Sequence, residues 1–394
     1  MSFLRAARAA LAVTSGVPRI LMAVVTVSLA GLFLSCGSSA HRPAGGPNHS
    51  AYVTLPGRGS VLLLHVSGAT GAITVGAETA QVQNTSPNGI ALLPSKKFLY
   101  AVNTGANSIS IFSVASDGTL MLTGAPTAVS FSPNNAVIDP SGKYLLVTNS
   151  LSTVQNQGSV SVFSIDAGTG AIAEVAGSPI LANASPSEIL ITPSGKFVYV
   201  TNQSIGMVTA FTFSNGVLTQ LPPGLSPVFS GLGASGLAVD GSERFLYVAN
   251  FSAPNQNTIG NISGFNIDPN TGALTTMPGA PYSANNGSGP TAIAVDPSGR
   301  YVYATTPGSS FAIWCFAITP TNGHLVSATN SPFSLTAGSL FALFDPSGNY
   351  FYIGSSSGNG LAGYTYNPST GALTTIAGSP FSTISSPGKM ALSE

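Results

Sequence analysis

The chain has 394 residues, 44% of them hydrophobic, with only 12 acidic and 12 basic residues. That is about a quarter of the usual charged share, and its balance excludes a basic face for nucleic acid. Dense β-branched and aromatic runs exclude a disordered chain, and the length suits one large all-β domain.

The N-terminus reads as a targeting segment. Arg5, Arg8 and Arg19 form a basic region, and Ile20 to Ser35 is an apolar run too short for a comfortable membrane span. The run ends in Phe33-Leu34-Ser35-Cys36-Gly37, a small residue followed by cysteine. This resembles a bacterial lipoprotein signal, which implies that residues 1–35 are removed and Cys36 is lipidated. The expected location is therefore extracytoplasmic, with membrane contact through the lipid anchor only. Residues 36–50, rich in Gly, Ser, Pro and Asn, read as a flexible tether in which His41 and His49 are solvated.

From residue 51 onward one phrase recurs: Asp-Pro-Ser-Gly-basic-aromatic-x-Tyr-Val-x-Asn. A truncated copy covers Tyr52 to Leu55 and a weaker one Leu93 to Asn103. Clear copies follow at Asp139 to Asn149, Thr192 to Asn202, Asp240 to Asn250, Asp296 to Thr306 and Asp345 to Ser355. Full copies begin 46 to 56 residues apart, and strand chemistry at that period means a β-propeller. Each copy divides into strands A to D. In the fifth, Gly236 to Val239 is strand A, Phe245 to Ala249 strand B, Ile262 to Ile267 strand C and Ala273 to Met277 strand D.

The turns are legible. Asp-Pro-Ser-Gly at 139–142, 296–299 and 345–348 suits a type I turn between A and B. Gly71, Gly118, Gly170, Gly216, Gly272, Gly323 and Gly371 stand where the C-to-D hairpins need a left-handed residue. The turn aspartates, the hairpin residues Asp117, Asp166 and Asp268, and the turn bases Lys96, Lys97, Lys143, Lys196, Arg244 and Arg300 read as solvated turn charges. Cys315, in an apolar strand, reads as a small core residue.

The first copy lacks strand A, and the last residues, 386–394, look like an isolated one. The C-terminal strand is therefore expected to complete blade 1 and to remove an open sheet edge. The fold class is all-β: a seven-bladed β-propeller over residues 51–394, blade 1 closed by the C-terminal strand.

Phe197-Val-Tyr-Val-Thr-Asn202 and Phe245-Leu-Tyr-Val-Ala-Asn250 resemble the Tyr-Val-Thr-Asn propeller repeat. The layout resembles the lactonase-type seven-bladed propellers, among them bacterial 6-phosphogluconolactonases, across nearly all of residues 51–394. The resemblance implies a ligand face where the B-to-C loops and D-to-A connections gather, with strand A lining the channel. It does not fix the reaction.

Aligned strand-A starts place Lys389, Gly89, Asn135, Glu188, Gly236, Ala292 and Phe341 around the mouth, blade 1 onward. Gly388, Asn88, Asn134, Ser187, Ser235, Thr291 and Leu340 directly precede them. The candidate ligand site is Glu188, Lys389, Asn88, Asn134, Asn135, Ser187, Ser235 and Thr291, joined by Arg58 from the short loop of blade 1. Lactone hydrolysis needs a base and an oxyanion donor, and Glu188 is the candidate base. The family's Gly-Pro-Arg-His-type motif is not matched: the corresponding stretch is Gly289-Pro-Thr-Ala292. His65 falls in strand C of blade 1, and His324 starts an outer strand and reads as solvated. Long amide-rich loops, Asn149 to Gly158 and Asn250 to Gly260, with Phe251 or Tyr282 nearby, suit a neutral glycan or a peptide. The residues thus favour a monomeric binding module for a small-molecule, glycan or protein ligand. Lactone hydrolysis is the alternative, and a purely structural envelope role stays open. No cofactor or metal motif is present.

Overall fold

The computed structural model describes residues 46–393 apart from 81–84, 130–131, 153, 252–259, 285–288, 308–310, 336 and 356–357. The expected signal segment, Cys36, His41 and most of the expected tether lie outside the described residues, as does most of the Asn250 to Gly260 loop. Seven antiparallel sheets follow one another around a ring, each ordered A-B-C-D. Blade 1 is B His49–Leu55, C Ser60–Val66 and D Ile73–Glu78, with strand A supplied by Met390–Leu392. The expected closure is therefore present: Ala51, Tyr52 and Val53 pair with Leu392, Ala391 and Met390. Strand B of blade 1 begins at His49, not at Ala51, because Ser50 pairs with His65 and bonds to Ser393. His49 is accordingly half-buried rather than a solvated tether residue.

The six other sheets gain a two-residue strand beyond D that the sequence reading did not contain. In blade 5, D is Leu274–Thr276 and the extra piece is Tyr282–Ser283. D pairs with the end of strand C (Asn261–Ile267) and the extra piece with its beginning. A cis peptide precedes Pro179, Pro227, Pro281, Pro332 and Pro380 at this break in blades 3 to 7. In four of these the preceding serine fills the gap in the ladder. Ser178, Ser226, Ser331 and Ser379 each accept a strand-C backbone N–H at 2.9 Å through Oγ.

The recurring phrase is an inter-blade fastener. The buried strand-B tyrosines reach into the next blade and donate to its C-to-D hairpin glycine carbonyl. Tyr52 reaches Gly118, Tyr100 Gly170, Tyr199 Gly272, Tyr247 Gly323, Tyr303 Gly371 and Tyr352 Gly71, all at 2.7 to 2.9 Å. The aromatic residue opening strand B lies flat on the same hairpin. At Gly272, with φ 75°, an added Cβ would sit 2.3 Å from the Phe197 ring. Glycine is required there both for its conformation and for this approach. Blade 3 carries Leu146 where the others carry tyrosine, so six of seven interfaces have the bond. The apolar core is correspondingly a set of wedges between neighbouring blades.

The turn aspartates are buried, which corrects their reading as solvated. Asp139, Asp240, Asp296 and Asp345 are 6% exposed or less. One oxygen of each accepts two backbone N–H groups, as Asp296 does from Arg300 and Tyr301. The other accepts a serine hydroxyl: Ser141, Ser242, Ser298 and Ser347 in turn. A carboxylate so bonded can be buried. Cys315 is fully buried as expected, and burial pushes its thiol up to about 12.

Candidate functional site

The A strands of neighbouring blades lie side by side and form the innermost layer. Blades 2 to 5 and 7 have a register shift at the start of strand A, at or beside the two mouth positions aligned by sequence. Such bulges re-aim side chains. The strand-B threonine then fixes the bulge. Thr148 Oγ1 accepts from the Asn135 N–H at 3.1 Å, and Thr201 Oγ1 accepts from the Glu188 N–H at 2.9 Å. Thr54 Oγ1 accepts from the Lys389 N–H at 2.9 Å. The threonine of the repeat therefore holds the three polar residues of the mouth.

Those three residues meet. Glu188, from blade 4, accepts from Lys389 Nζ at 2.6 Å on Oε2 and from Asn135 Nδ2 at 2.7 Å on Oε1. The Lys389 and Glu188 side chains are 25% and 24% exposed, so the pair is reachable from solvent. Beside it Asn88 Nδ2 donates to Asn134 Oδ1 at 2.5 Å. The sequence-aligned amides, carboxylate and amine thus bond in two sets across blades 1 to 4, Asn135–Glu188–Lys389 and Asn88–Asn134.

The hydroxyl candidates serve the strands instead. Ser187 Oγ bonds Thr201 within blade 4, Ser235 Oγ donates to the Thr291 carbonyl of the next blade, and Thr291 Oγ1 donates to the Ser339 carbonyl. Arg58 does not join Lys389. Its Nε and Nη2 donate to Glu78 Oε1 and Oε2 at 2.7 and 2.9 Å, and Ser60 Oγ donates to the same carboxylate at 2.5 Å. This bonding, chiefly from Arg58, holds the Glu78 carboxyl below its ordinary value. Glu78 went unread because it lies at the far end of strand D, past a register shift against strand C. His324, read as solvated, is half-buried against Tyr282. Tyr282, read as near the ligand loops, is only 7% exposed, and its ring meets His324 edge-on at 5.2 Å. His65 is in strand C of blade 1 and exposed. Among the described residues, no three His, Cys, Asp or Glu side chains gather as metal ligands.

The ring of seven sheets with a polar mouth at the strand-A starts defines a seven-bladed β-propeller. The family model for the lactonase, 7-bladed β-propeller matches residues 48–184, 178–282 and 260–384. The chain belongs to that family. A stretch of 84 residues is 43% identical to a 6-phosphogluconolactonase of Formosa agariphila, covering 21% of this chain and 22% of that protein. The match spans about a fifth of the relative's length. Two solved structures share the fold. One is a Bacteroides uniformis protein provisionally assigned as a 6-phosphogluconolactonase (TM-score 0.71, 20% identity, 88% of this chain, 100% of that one). The other is the periplasmic gluconolactonase of Pseudomonas aeruginosa (TM-score 0.69, 17% identity, 88% and 99%).

Proposed function

We propose that the channel mouth binds a small uncharged molecule rich in hydroxyl groups, of the sugar-lactone class. The observation that supports this most is the Asn135–Glu188–Lys389 chain with Asn88 and Asn134 beside it. Amides and a carboxylate accept and donate to hydroxyl groups in fixed directions. A phosphorylated ligand fits poorly. Lys389 is the one cation among the aligned mouth positions, and Glu188 already neutralises it.

Hydrolysis is the second reading, and family membership favours it. A carboxylate has lone pairs left after two bonds, so Glu188 has room to take a proton from water. The resulting hydroxide would add to the lactone carbonyl. Lys389 or Asn135 would donate to the oxyanion, the ring C–O bond would break, and the alcohol would take the proton back. A pH-stat screen of D-glucono-1,5-lactone and its 6-phosphate tests this. Turnover above background that disappears in Glu188→Gln supports hydrolysis, and no turnover by wild type restricts the mouth to binding.

The reading also puts the ring outside the cytoplasm on a lipidated Cys36, on the strength of the leader sequence alone. Palmitate labelling that persists in Cys36→Ala would contradict it.

A further inference from the structure

Blade 7 departs from the repeat at three linked positions, all at the channel mouth. Its strand A is Ser339–Phe344 and its strand B Tyr350–Ser355. The register shift at the start of strand A puts Leu340 where blades 2 and 3 carry Asn88 and Asn134. The next residue, Phe341, pairs with Gly354 as Asn135 pairs with Thr148. Blade 7 therefore lacks the strand-B threonine that holds a polar residue at the mouth in blades 1, 3 and 4. The Phe341 ring takes that space: a Cβ added to Gly354 would lie 2.1 Å from Phe341 Cε1. Glycine in a strand commonly marks such a close approach. Phe341 is buried, whereas Leu340 is 41% exposed.

The neighbouring rim positions add little polarity. Gly236 and Ala292 carry no polar side chain, and the Ser235 and Thr291 hydroxyls donate to the Thr291 and Ser339 carbonyls. On the other side of blade 7 the position equivalent to Leu340 is Gly388, which has no side chain to cover the leucine. In a ring of seven, blade 7 stands opposite blades 3 and 4. Leu340 is therefore across the mouth from Asn135 and Glu188. The mouth has a polar arc on blades 1 to 4 and an apolar arc that culminates in Leu340.

We propose that Leu340 sets specificity at the mouth, and that the ligand is an amphipathic lactone. Its hydroxyl groups turn toward the Asn135–Glu188–Lys389 set, and an alkyl arm lies on Leu340. This deepens the sugar-lactone reading and rests on it. An exposed leucine gains by being covered with aliphatic carbon. A wholly hydroxylated ligand would instead press a hydroxyl group against the leucine, which offers nothing in place of the water given up.

Competition saturation-transfer NMR tests it, with D-glucono-1,5-lactone and its 6-O-butyl ether at mildly acidic pH. The exocyclic arm turns freely, so the butyl group can reach Leu340 while the ring keeps its place. Each CH2 group removed from water is worth roughly fourfold in affinity, so wild type should bind the ether at least fivefold more tightly than the parent. Leu340→Asn installs the residue of blades 2 and 3 at an exposed position. It should bring that ratio to about one while parent binding is kept. A ratio near one in wild type, or an undiminished preference in Leu340→Asn, would overturn the proposal and leave the sugar-lactone site standing. Loss of both lactones in the variant alone would also overturn it, by assigning Leu340 to the build of the mouth. Binding of neither lactone by wild type would overturn the sugar-lactone reading, and this inference with it.

Discussion

Lys389 and Glu188 stand 201 residues apart in the chain, in blades 1 and 4, and their ammonium and carboxylate meet at 2.6 Å across the mouth. The contact joins the strand that closes the ring to a blade on its far side. It also sets the charge at the mouth to zero, which is why the proposed ligand is uncharged.

Lys389→Met leaves Glu188 with Asn135 as its one remaining side-chain partner among the described residues. The pair is partly exposed, so the expected loss is about 1–2 kcal/mol, between surface and buried ion pairs. Urea unfolding of Lys389→Met, Glu188→Gln and the double variant measures it as a cycle. A coupling near zero would mean the pair does not hold the mouth.

The tyrosine fasteners predict a graded effect. Tyr247→Phe removes one buried bond to the Gly323 carbonyl at 2.7 Å and should cost about 1–2 kcal/mol. Tyr144→Phe, in the blade with Leu146 at the fastener position, should cost less than about 0.5 kcal/mol, the size of a surface change. Equal losses in the two variants would contradict the role assigned to the inter-blade bond.

Deleting residues 388–394 strips strand A from blade 1. It removes the Thr54 N–H bond to the Lys389 carbonyl, the Gly388 N–H bond to Thr54 and the Ser393 N–H bond to Ser50. It bares the fully buried Ala51 and Val53 along an open strand edge. The expected result is a lower melting temperature and concentration-dependent aggregation by light scattering. A truncated chain as stable and monodisperse as wild type would refute ring closure by this strand.

The alkaline limb of stability follows from buried acids. Cys315 holds its proton more tightly folded than unfolded, so its contribution is full below the ordinary thiol value of 9.0 and is lost as pH climbs toward about 12. Burial raises Tyr100, Tyr199, Tyr247, Tyr303 and Tyr352 as well, so their ionisation also opposes the fold. Tyrosinate absorbance from these five should therefore appear together with unfolding, and Cys315 should resist thiol reagents at pH 8 until denaturant is added. Ionisation of these five buried tyrosines while the protein stays folded would contradict this.

Much of the architecture is legible in residue types. Hairpin glycines mark every C-to-D turn because only their conformation fits, and the surplus strand at 390–392 announces its missing blade. The mouth cluster is legible too, because aligned strand starts converge on one axis and Lys389 and Glu188 carry its charges. What escapes is set by pairing rather than by type. A two-residue strand such as Tyr282–Ser283 has too few residues to show alternation. Arg58 found Glu78 through a shifted C-to-D register. Asp296 is polar by type, yet the turn's N–H groups and Ser298 satisfy it and let it sink into the fold.

The most direct test of the mouth is saturation-transfer NMR with D-glucono-1,5-lactone at mildly acidic pH, on wild type, Glu188→Gln and Lys389→Met. The account predicts transfer to the lactone hydroxyl-bearing ring protons in wild type, weakened at least fivefold in both variants. Transfer of equal strength in all three proteins, or none in wild type, would contradict a sugar-lactone site at Glu188 and Lys389.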